Sequence, residues 1–338
     1  MTDKIPNLRI ITVTEEHADD WTEIFLLGIK SCRWMRKYFA RQNISEYDVK
    51  LSLLQDLKTK SEDEILLIAY DGEYPIGIIR FDSYYIPGAS KIISHFPLIH
   101  PRYQKKGVGR ALVKKGSILA MDKGNKDIWS ECWALNKREI SNYQQFYEKI
   151  GFESKSFRLE MSCNVYSFDE KKCETREDIE ILISNEITDD FVELISKSYS
   201  DSSDILHTIE DLGNTKIANA FLNRTKKTFE ALGFRVDCVI AKYRGNLSAG
   251  LLTATAKNKG MILEIGVLPN YRGKRIAWHL ISKYIVKMKK QKIGEVVLGV
   301  DENNFPAVNL YRKLGFNQSW FGHLLLLVDK AKLGLNND

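Results

Sequence analysis

Residues Ile99-His-Pro-Arg-Tyr-Gln-Lys-Lys-Gly-Val-Gly109 decide how this chain is read, because the chain says them twice. The second copy is Val267-Leu-Pro-Asn-Tyr-Arg-Gly-Lys-Arg-Ile-Ala277. Each copy is followed by a matching segment, Phe146-Tyr-Glu-Lys-Ile-Gly-Phe152 and Leu310-Tyr-Arg-Lys-Leu-Gly-Phe316. From Gln104 to Gly151 is 47 positions and from Arg272 to Gly315 is 43, so the copies differ by four residues, which fall between Asn136 and Tyr147. A self-similarity of this length predicts two like domains. The 338 residues suffice for two, each with its own core.

The surroundings of the two copies agree as well. Ile65 to Tyr70, the turn Asp71-Gly72, and Ile76 to Phe81 read as a hairpin of β-rich runs; Val236 to Tyr243, Arg244-Gly245-Asn246, and Ala249 to Ala256 read likewise. A further strand precedes each loop, at Lys91 to Ile99 and Gly260 to Val267. Helices follow the loops. Ala277, Leu280, Ile281, Tyr284, Ile285 and Met288 recur at helical spacing, whereas Gly116 interrupts the pattern of the first-half helix. Asp127 to Ala134 and Glu295 to Val300 read as fifth strands, followed by short helices. A last strand pair is expected in Glu153 to Ser167 and another in Asn317 to Val328.

Each half opens with a strand, Leu8 to Val13 or Ile179 to Ile183, and a mostly helical region. The order predicts an α/β (α+β) chain of two tandem folds, each a mixed, mostly antiparallel sheet with helices on both faces. The domains are expected at 1–168 and 179–338. The join at 169–178 is where charged residues crowd without apolar period.

The loop itself has chemical content. It leaves a strand and opens a helix, where unpaired N–H groups and the positive helix end favour phosphate oxygens. Gly107 and Gly109 lack side chains, so an anion can approach the main chain. A glycine-containing turn without a ligand is the plain alternative; the repeat and the downstream Tyr-x-x-x-Gly-Phe weigh against it.

Composition bounds the partners. A net charge of +6, from 50 basic and 44 acidic residues, suits an anionic cofactor and is too mild to imply nucleic acid. The five cysteines (Cys32, Cys132, Cys163, Cys173, Cys238) show no CxxC spacing, so neither a disulfide framework nor a metal site is expected. The start lacks a signal-peptide pattern, and no apolar stretch approaches ~18 residues. A cytoplasmic protein without a membrane partner is the expectation; the oligomeric state stays open.

On these residues the chain resembles the GNAT superfamily, the general N-acetyltransferases, in both halves from the third strand onward. The family's Gln/Arg-x-x-Gly-x-Gly/Ala loop corresponds to Gln104-Lys105-Lys106-Gly107-Val108-Gly109. Its Asn-x-x-Ala-x-x-x-Tyr-x-x-x-Gly-Phe segment corresponds to Asn304, Ala307, Tyr311, Gly315 and Phe316. The tandem layout is similar to mycothiol synthase-like proteins. The resemblance implies two acyl-CoA N-acyltransferase folds that bind acetyl-coenzyme A and release coenzyme A. Pro97, Leu98 and Ile99, or Ile265, Gly266 and Val267, would pair with the pantetheine arm and acetyl group. The pyrophosphate would fall to the loop from Gln104 through Lys105, Lys106, Gly107, Val108 and Gly109 to Arg110. In the second half it would fall to Arg272, Gly273, Lys274, Arg275, Ile276, Ala277 and Trp278, with Asn304 in the same cofactor-binding set.

Acetyl transfer to the primary amine of a small molecule or peptide needs a neutral amine, a donor for the carbonyl oxygen and a proton for the leaving thiolate. Tyr147 and Tyr311 hold the position of the family's general acid; a core tyrosine is the plain alternative. Glu264 and Glu131, the latter between Trp129 and Trp133, are the candidate bases, with surface or ion-pair roles as alternatives. His95 and His100 also lie near the first loop, His100 in an ordinary slot.

Both halves depart from the pattern. Arg275 replaces the first loop glycine, which weakens the second site if the position needs φ > 0. In the first half Tyr143 stands where alanine is expected and Ile140 where asparagine is, leaving Asn136 to serve if the four extra residues bulge. The alternative reading is one catalytic half, with the other a non-catalytic acceptor-cleft or acetyl-CoA-sensing domain.

Overall fold

Strand β1 (Leu8–Thr12) pairs antiparallel with β2 (Ile65–Asp71), and between them run helices α1 (Ala18–Ser31) and α2 (Glu46–Thr59). The computed structural model describes residues 5–31, 45–59, 62, 64–83, 91–173, 175–202, 204–209 and 211–335. Cys32 and the rest of positions 32–44, part of the mostly helical region expected after the first strand, lie outside the described residues. In β2, Ile65 to Tyr70 are all buried, as expected of a strand covered on both faces. Leu66, Ile68 and Tyr70 meet Trp21 and Ile24 of α1 and Leu53 of α2 in one cluster.

The first unit continues through β3 (Tyr74–Ser83), β4 (Lys91–Ser94), β5 (Leu98–Ile99), helix α3 (Val108–Asp122), β6 (Asp127–Ala134) and helix α4 (Lys137–Lys149). Its sheet runs β1-β2-β3-β4-β6, antiparallel except for the parallel β4–β6 pair. Helix α3 runs unbroken through Gly116. That glycine does not interrupt it: a Cβ there would lie 2.1 Å from the Phe81 ring, so it is a contact point of helix on strand.

Strand β7 (Phe152–Asn164) is followed by the second repeat. This contains β8 (Ile179–Ser184), α5 (Asp189–Tyr199), α6 (Ile205–Ile209), α7 (Thr215–Ala231), β9 (Arg235–Tyr243), β10 (Asn246–Thr255) and β11 (Lys259–Val267). Then come α8 (Ile276–Lys290), β12 (Glu295–Asp301), α9 (Phe305–Lys313), β13 (Asn317–Leu327) and α10 (Lys330–Leu333). Strands β8-β9-β10-β11 pair antiparallel in order, and β11 pairs parallel with β12. Helix α5 packs against Gly250 and Gly266, where a Cβ would strike Ile195 and Ser198, whereas Gly260 lies against Tyr284 and Met288 of α8. Helices thus cover the sheet of this unit as the α/β reading expects.

A strand pair was expected at the end of each repeat; each is instead one long strand, because neither run contains a turn sequence. The two compact units are Met1–Lys155 with Phe321–Asp338, and Ser156–Trp320. Strand β6 therefore takes β13 as its outer neighbour, Trp129 opposite Leu326 and Ala134 opposite Phe321. Strand β12 takes β7, Glu295 opposite Asn164 and Asp301 opposite Arg158. Each repeat's final strand closes the sheet of the unit built mainly from the other repeat, so residues 169–178 fall inside the second compact unit.

Candidate active site

The sheet opens at the same place in both units. Strand β4 is paired with β6 only from Lys91 to Ser94, and β11 with β12 only from Lys259 to Ile262. Beyond that point the chain stays with β3 or β10 and leaves its parallel neighbour. A one-residue slip accompanies the parting, at Leu263 in β11 and between Ser94 and Leu98 in the first unit. Such a bulge re-aims the side chains after it. The stretches Pro97, Leu98, Ile99 and Ile265, Gly266, Val267 lie directly past the opening, with backbone groups released from one neighbour.

The loops that follow have one backbone path and two different spellings. Their positive-φ positions are Lys105 (62°) and Gly107 (87°) in the first, Gly273 (77°) and Arg275 (59°) in the second. Each loop thus uses one glycine and one basic residue. Arg275 does take the left-handed conformation, so the position needs φ > 0, at a cost of about 1 kcal/mol for a side-chain-bearing residue. The helix still starts at the next residue, as α3 does after Gly107. Amides of Val108, Gly109 and Arg110, and of Ile276, Ala277 and Trp278, therefore open the two helices. A Cβ built on Gly107 or Gly273 meets nothing within 4 Å, so the space before both loops is open to an anion.

The side chains of Gln104 and Arg272 are engaged elsewhere. Gln104 Nε2 donates to the Ile99 carbonyl at 3.3 Å, and Arg272 Nε donates to the Val267 carbonyl at 3.2 Å. Arg272 also grips Asp201 through two bonds of 2.7 Å and the Ser198 carbonyl at 2.9 Å. Both side chains tie the loop to the strand end before it. Lys106 lies over the Tyr103 ring and Lys274 over the Tyr243 ring, while the Trp278 indole donates to the Lys172 carbonyl.

Asn136 and Asn304 are equivalent. Each side chain caps its helix, accepting from Glu139 N–H at 3.1 Å and from Ala307 N–H at 3.3 Å. The four extra residues do not bulge: α4 has 13 residues and α9 has 9, so they add one regular turn.

The two tyrosines at the acid position differ. Tyr147 is fully buried; its hydroxyl donates to the His95 carbonyl at 2.9 Å and lies 3.2 Å from Ser94 Oγ. Its ring sits among Phe96, Tyr143, Phe146 and Phe152. Tyr311 is 5% exposed, and no hydrogen bond to its hydroxyl comes from the described residues. Burial and then the charges of Asp204 and Glu264 push its ionisation up, so the proton is held until a strong base draws it.

Glu264 follows the β11 bulge, its side chain 13% exposed. Burial pushes its carboxyl up to about 7; the Tyr199 hydrogen bond and Arg158 pull it down, and Asp204 pushes it up. The Tyr199 hydroxyl donates to Glu264 Oε2 at 2.6 Å, and the Tyr199 ring stacks on His207 at 3.6 Å. His207 Nε2 is 3.9 Å from the same carboxylate oxygen, and burial pushes this histidine down to about 4. Tyr199, His207, Asp204 and Arg158 were not found from sequence: they come from α5, the segment entering α6, and β7, and no motif spacing links them to Glu264.

In the first unit Glu131 is half-buried on β6, opposite Leu324, with the buried and half-buried positions alternating through Trp133. The structure does not bring it to the register position of Glu264. His95 is half exposed and bound to Asp82 at 2.7 Å. Burial would raise that carboxyl, but His95 and Arg80 hold it down at about 2. His100 Nδ1 accepts from the Arg102 N–H, closing a turn. Among the described residues no cluster of three or more His, Cys, Asp or Glu is placed to hold a metal ion, and no helix is long and apolar enough to cross a membrane.

Comparison with known proteins gives the same architecture. The acetyltransferase (GNAT) family model matches residues 206–316 and an acetyltransferase (GNAT) domain model matches 62–154, together more than half of the chain. The spore coat polysaccharide biosynthesis protein SpsD of Bacillus subtilis is 34% identical over 86 residues, 25% of this chain and 29% of that protein. A mycothiol acetyltransferase of Acidothermus cellulolyticus is 24% identical over 226 residues, 65% of this chain and 66% of its own length. The matched stretches thus span less than two thirds of these relatives. A tandem GNAT protein from the clavulanic acid biosynthesis pathway shares the fold with a TM-score of 0.64 at 12% identity, over 94% of this chain and 98% of that one. This chain belongs to the GNAT acetyltransferase family and carries two GNAT domains in tandem, in a layout resembling the mycothiol acetyltransferases.

Proposed function

We propose that the chain is an acetyl-CoA-dependent N-acetyltransferase acting on the primary amine of a small molecule or peptide, and that the second unit performs the transfer. The observation that carries this is a carboxyl poised at about 7, Glu264, together with a Tyr311 hydroxyl that takes no hydrogen bond from the described residues. A base is most useful when its pKa lies near the working pH.

The residues present fit the cofactor: two helix N-termini behind open, positive-φ loops, and strand backbone that has left its parallel neighbour just past the opening of the sheet. When bound, acetyl-coenzyme A supplies the acetyl group as a thioester. Glu264 takes the proton from the incoming ammonium, and Tyr199 keeps its Oε2 fixed during the exchange. Released backbone N–H groups of β11 offer donors where negative charge gathers on the carbonyl oxygen. Tyr311 holds the proton that the departing sulfur needs.

The first unit keeps the loop and lacks the pair. Phe96 stands at the Glu264 position, and the Tyr147 hydroxyl is spent on the His95 carbonyl. We therefore read the first unit as the non-catalytic one, holding acetyl-CoA or completing the acceptor cleft, with 1–168 and 179–338 as the domain limits in sequence order. Thiol release with acetyl-CoA and a panel of amines tests this on wild type, Tyr311→Phe and Tyr147→Phe. Loss in Tyr311→Phe alone is expected; loss in Tyr147→Phe alone would move the chemistry to the first unit.

A further inference from the structure

Ser156 and Arg158 precede the second repeat in sequence, yet β7 carries them into the second unit. Arg158 Nη1 meets Asp204 Oδ1 at 3.1 Å, the side chains 10% and 6% exposed. The other Asp204 oxygen accepts the Asp301 N–H at 3.1 Å, and the Asp204 carbonyl accepts the His207 N–H at 3.2 Å. Ser156 donates its hydroxyl to the Asp301 carboxylate, and Phe157 accepts the Glu302 N–H at 2.8 Å. The Asp301 carbonyl in turn accepts the N–H of Asn304, the cap of α9. Three consecutive residues of β7 thus hold both segments that reach the site: the one entering α6 with His207, and the one entering α9 with Tyr311.

We propose that Arg158 is a positioning residue of the second unit's site, its ion pair with Asp204 holding the start of α6 and balancing charge beside Glu264. This rests on the reading of Glu264 as the base. Glu264 is faced by Tyr199 from α5, Asp204 and His207 from the α6 segment, Arg158 from β7 and Tyr311 from α9. Of these Arg158 is the cation at neutral pH, since burial keeps His207 neutral. Asp301, next along the network, adds a further carboxyl. A buried carboxylate stripped of its partner is strongly unfavourable. Removing Arg158 leaves the Asp204 charge to act on Glu264 alone, which makes Glu264 harder to ionise.

The test uses the full chain with ¹³C-labelled glutamate, following the Glu264 carboxyl by NMR and assigning it by its loss in Glu264→Gln. Wild type, Arg158→Lys, Arg158→Met and Arg158→Met with Asp204→Asn are titrated, with thermal melts to check folding. In Arg158→Met the Glu264 midpoint is expected to rise by about one pH unit, tenfold in proton affinity. Arg158→Lys is expected to shift it less, and adding Asp204→Asn to return it towards wild type. A midpoint that stays put in folded Arg158→Met overturns the proposal, as does a shift that Asp204→Asn fails to reverse. If Arg158→Met does not fold, Asp204→Asn alone is titrated: the Glu264 midpoint is expected to fall, and an unmoved midpoint in that folded variant overturns the proposal too. The base assignment fails separately, if Glu264→Gln keeps wild-type turnover.

Discussion

Phe96 and Glu264 hold the same position of the repeat in the two units. Each stands three residues before the strand end that leads into its loop, Ile99 or Val267, and just past the point where the sheet opens. Phe96 packs on Tyr143 at 5.2 Å and Phe146 at 5.6 Å; Glu264 receives the Tyr199 hydroxyl at 2.6 Å. One fold thus presents an aromatic plug in one unit and a hydrogen-bonded carboxyl in the other.

Glu264 sets the pH dependence expected of the transfer. The base must be ionised, so kcat/KM should fall about tenfold per pH unit below a midpoint near 7 and level off above it. Glu264→Gln should lower kcat/KM by roughly 10²–10⁴ and abolish that limb. A wild-type profile flat from pH 5 to 8 would remove Glu264 from the mechanism.

The two tyrosine-to-phenylalanine changes should separate chemistry from stability. Tyr311→Phe should lower turnover by about 10² or more with little change in melting temperature. Tyr147→Phe breaks a buried hydrogen bond and should cost about 1–2 kcal/mol in denaturant unfolding while sparing turnover.

Gly107 and Arg275 should respond unequally to alanine. Gly107→Ala forces a side chain into φ 87° and should cost about 1 kcal/mol. Arg275→Ala keeps strain already present and should cost less than half as much. Equal losses in paired urea titrations would show that the two loops do not share a backbone path.

Acid should weaken the first unit through His323. It is fully buried on β13, with Nε2 2.8 Å from the Ser154 hydroxyl, and burial followed by Lys137 pushes it from 6.5 down to about 4. The unfolded chain therefore binds a proton that the folded chain refuses between about 6.5 and 4. Its contribution to stability is full above 6.5 and declines as pH falls through that window. His323→Gln should flatten this part of the melting temperature against pH; an unchanged slope would assign the acid loss elsewhere.

The repeat, the loops and the strand–helix order were legible because they are local: a hairpin turn, a helical period and a glycine pattern each sit in one stretch of chain. The sequence offered Asn136 as the counterpart of Asn304 only on condition of a bulge; the four extra residues instead form a helical turn, since a regular turn satisfies its own backbone groups. Gly116 misled as a helix breaker because its reason lies across the core, in the ring of Phe81. Glu264 stood out on its strand, whereas Tyr199, His207, Asp204 and Arg158 converge on it from separate segments. The partners of β7 and β13 were hidden for the same reason, because alternation names a strand and not its neighbour.

Strand β13 follows nearly the whole second repeat, yet it covers the edge of β6, pairing Leu326 with Trp129. On the ribosome, the first unit accordingly waits with an open edge until the second repeat has been made. Trimming the chain back to Trp320 would strip a strand from the unit that was synthesised first. Damage at the close of the second repeat is therefore felt in the first.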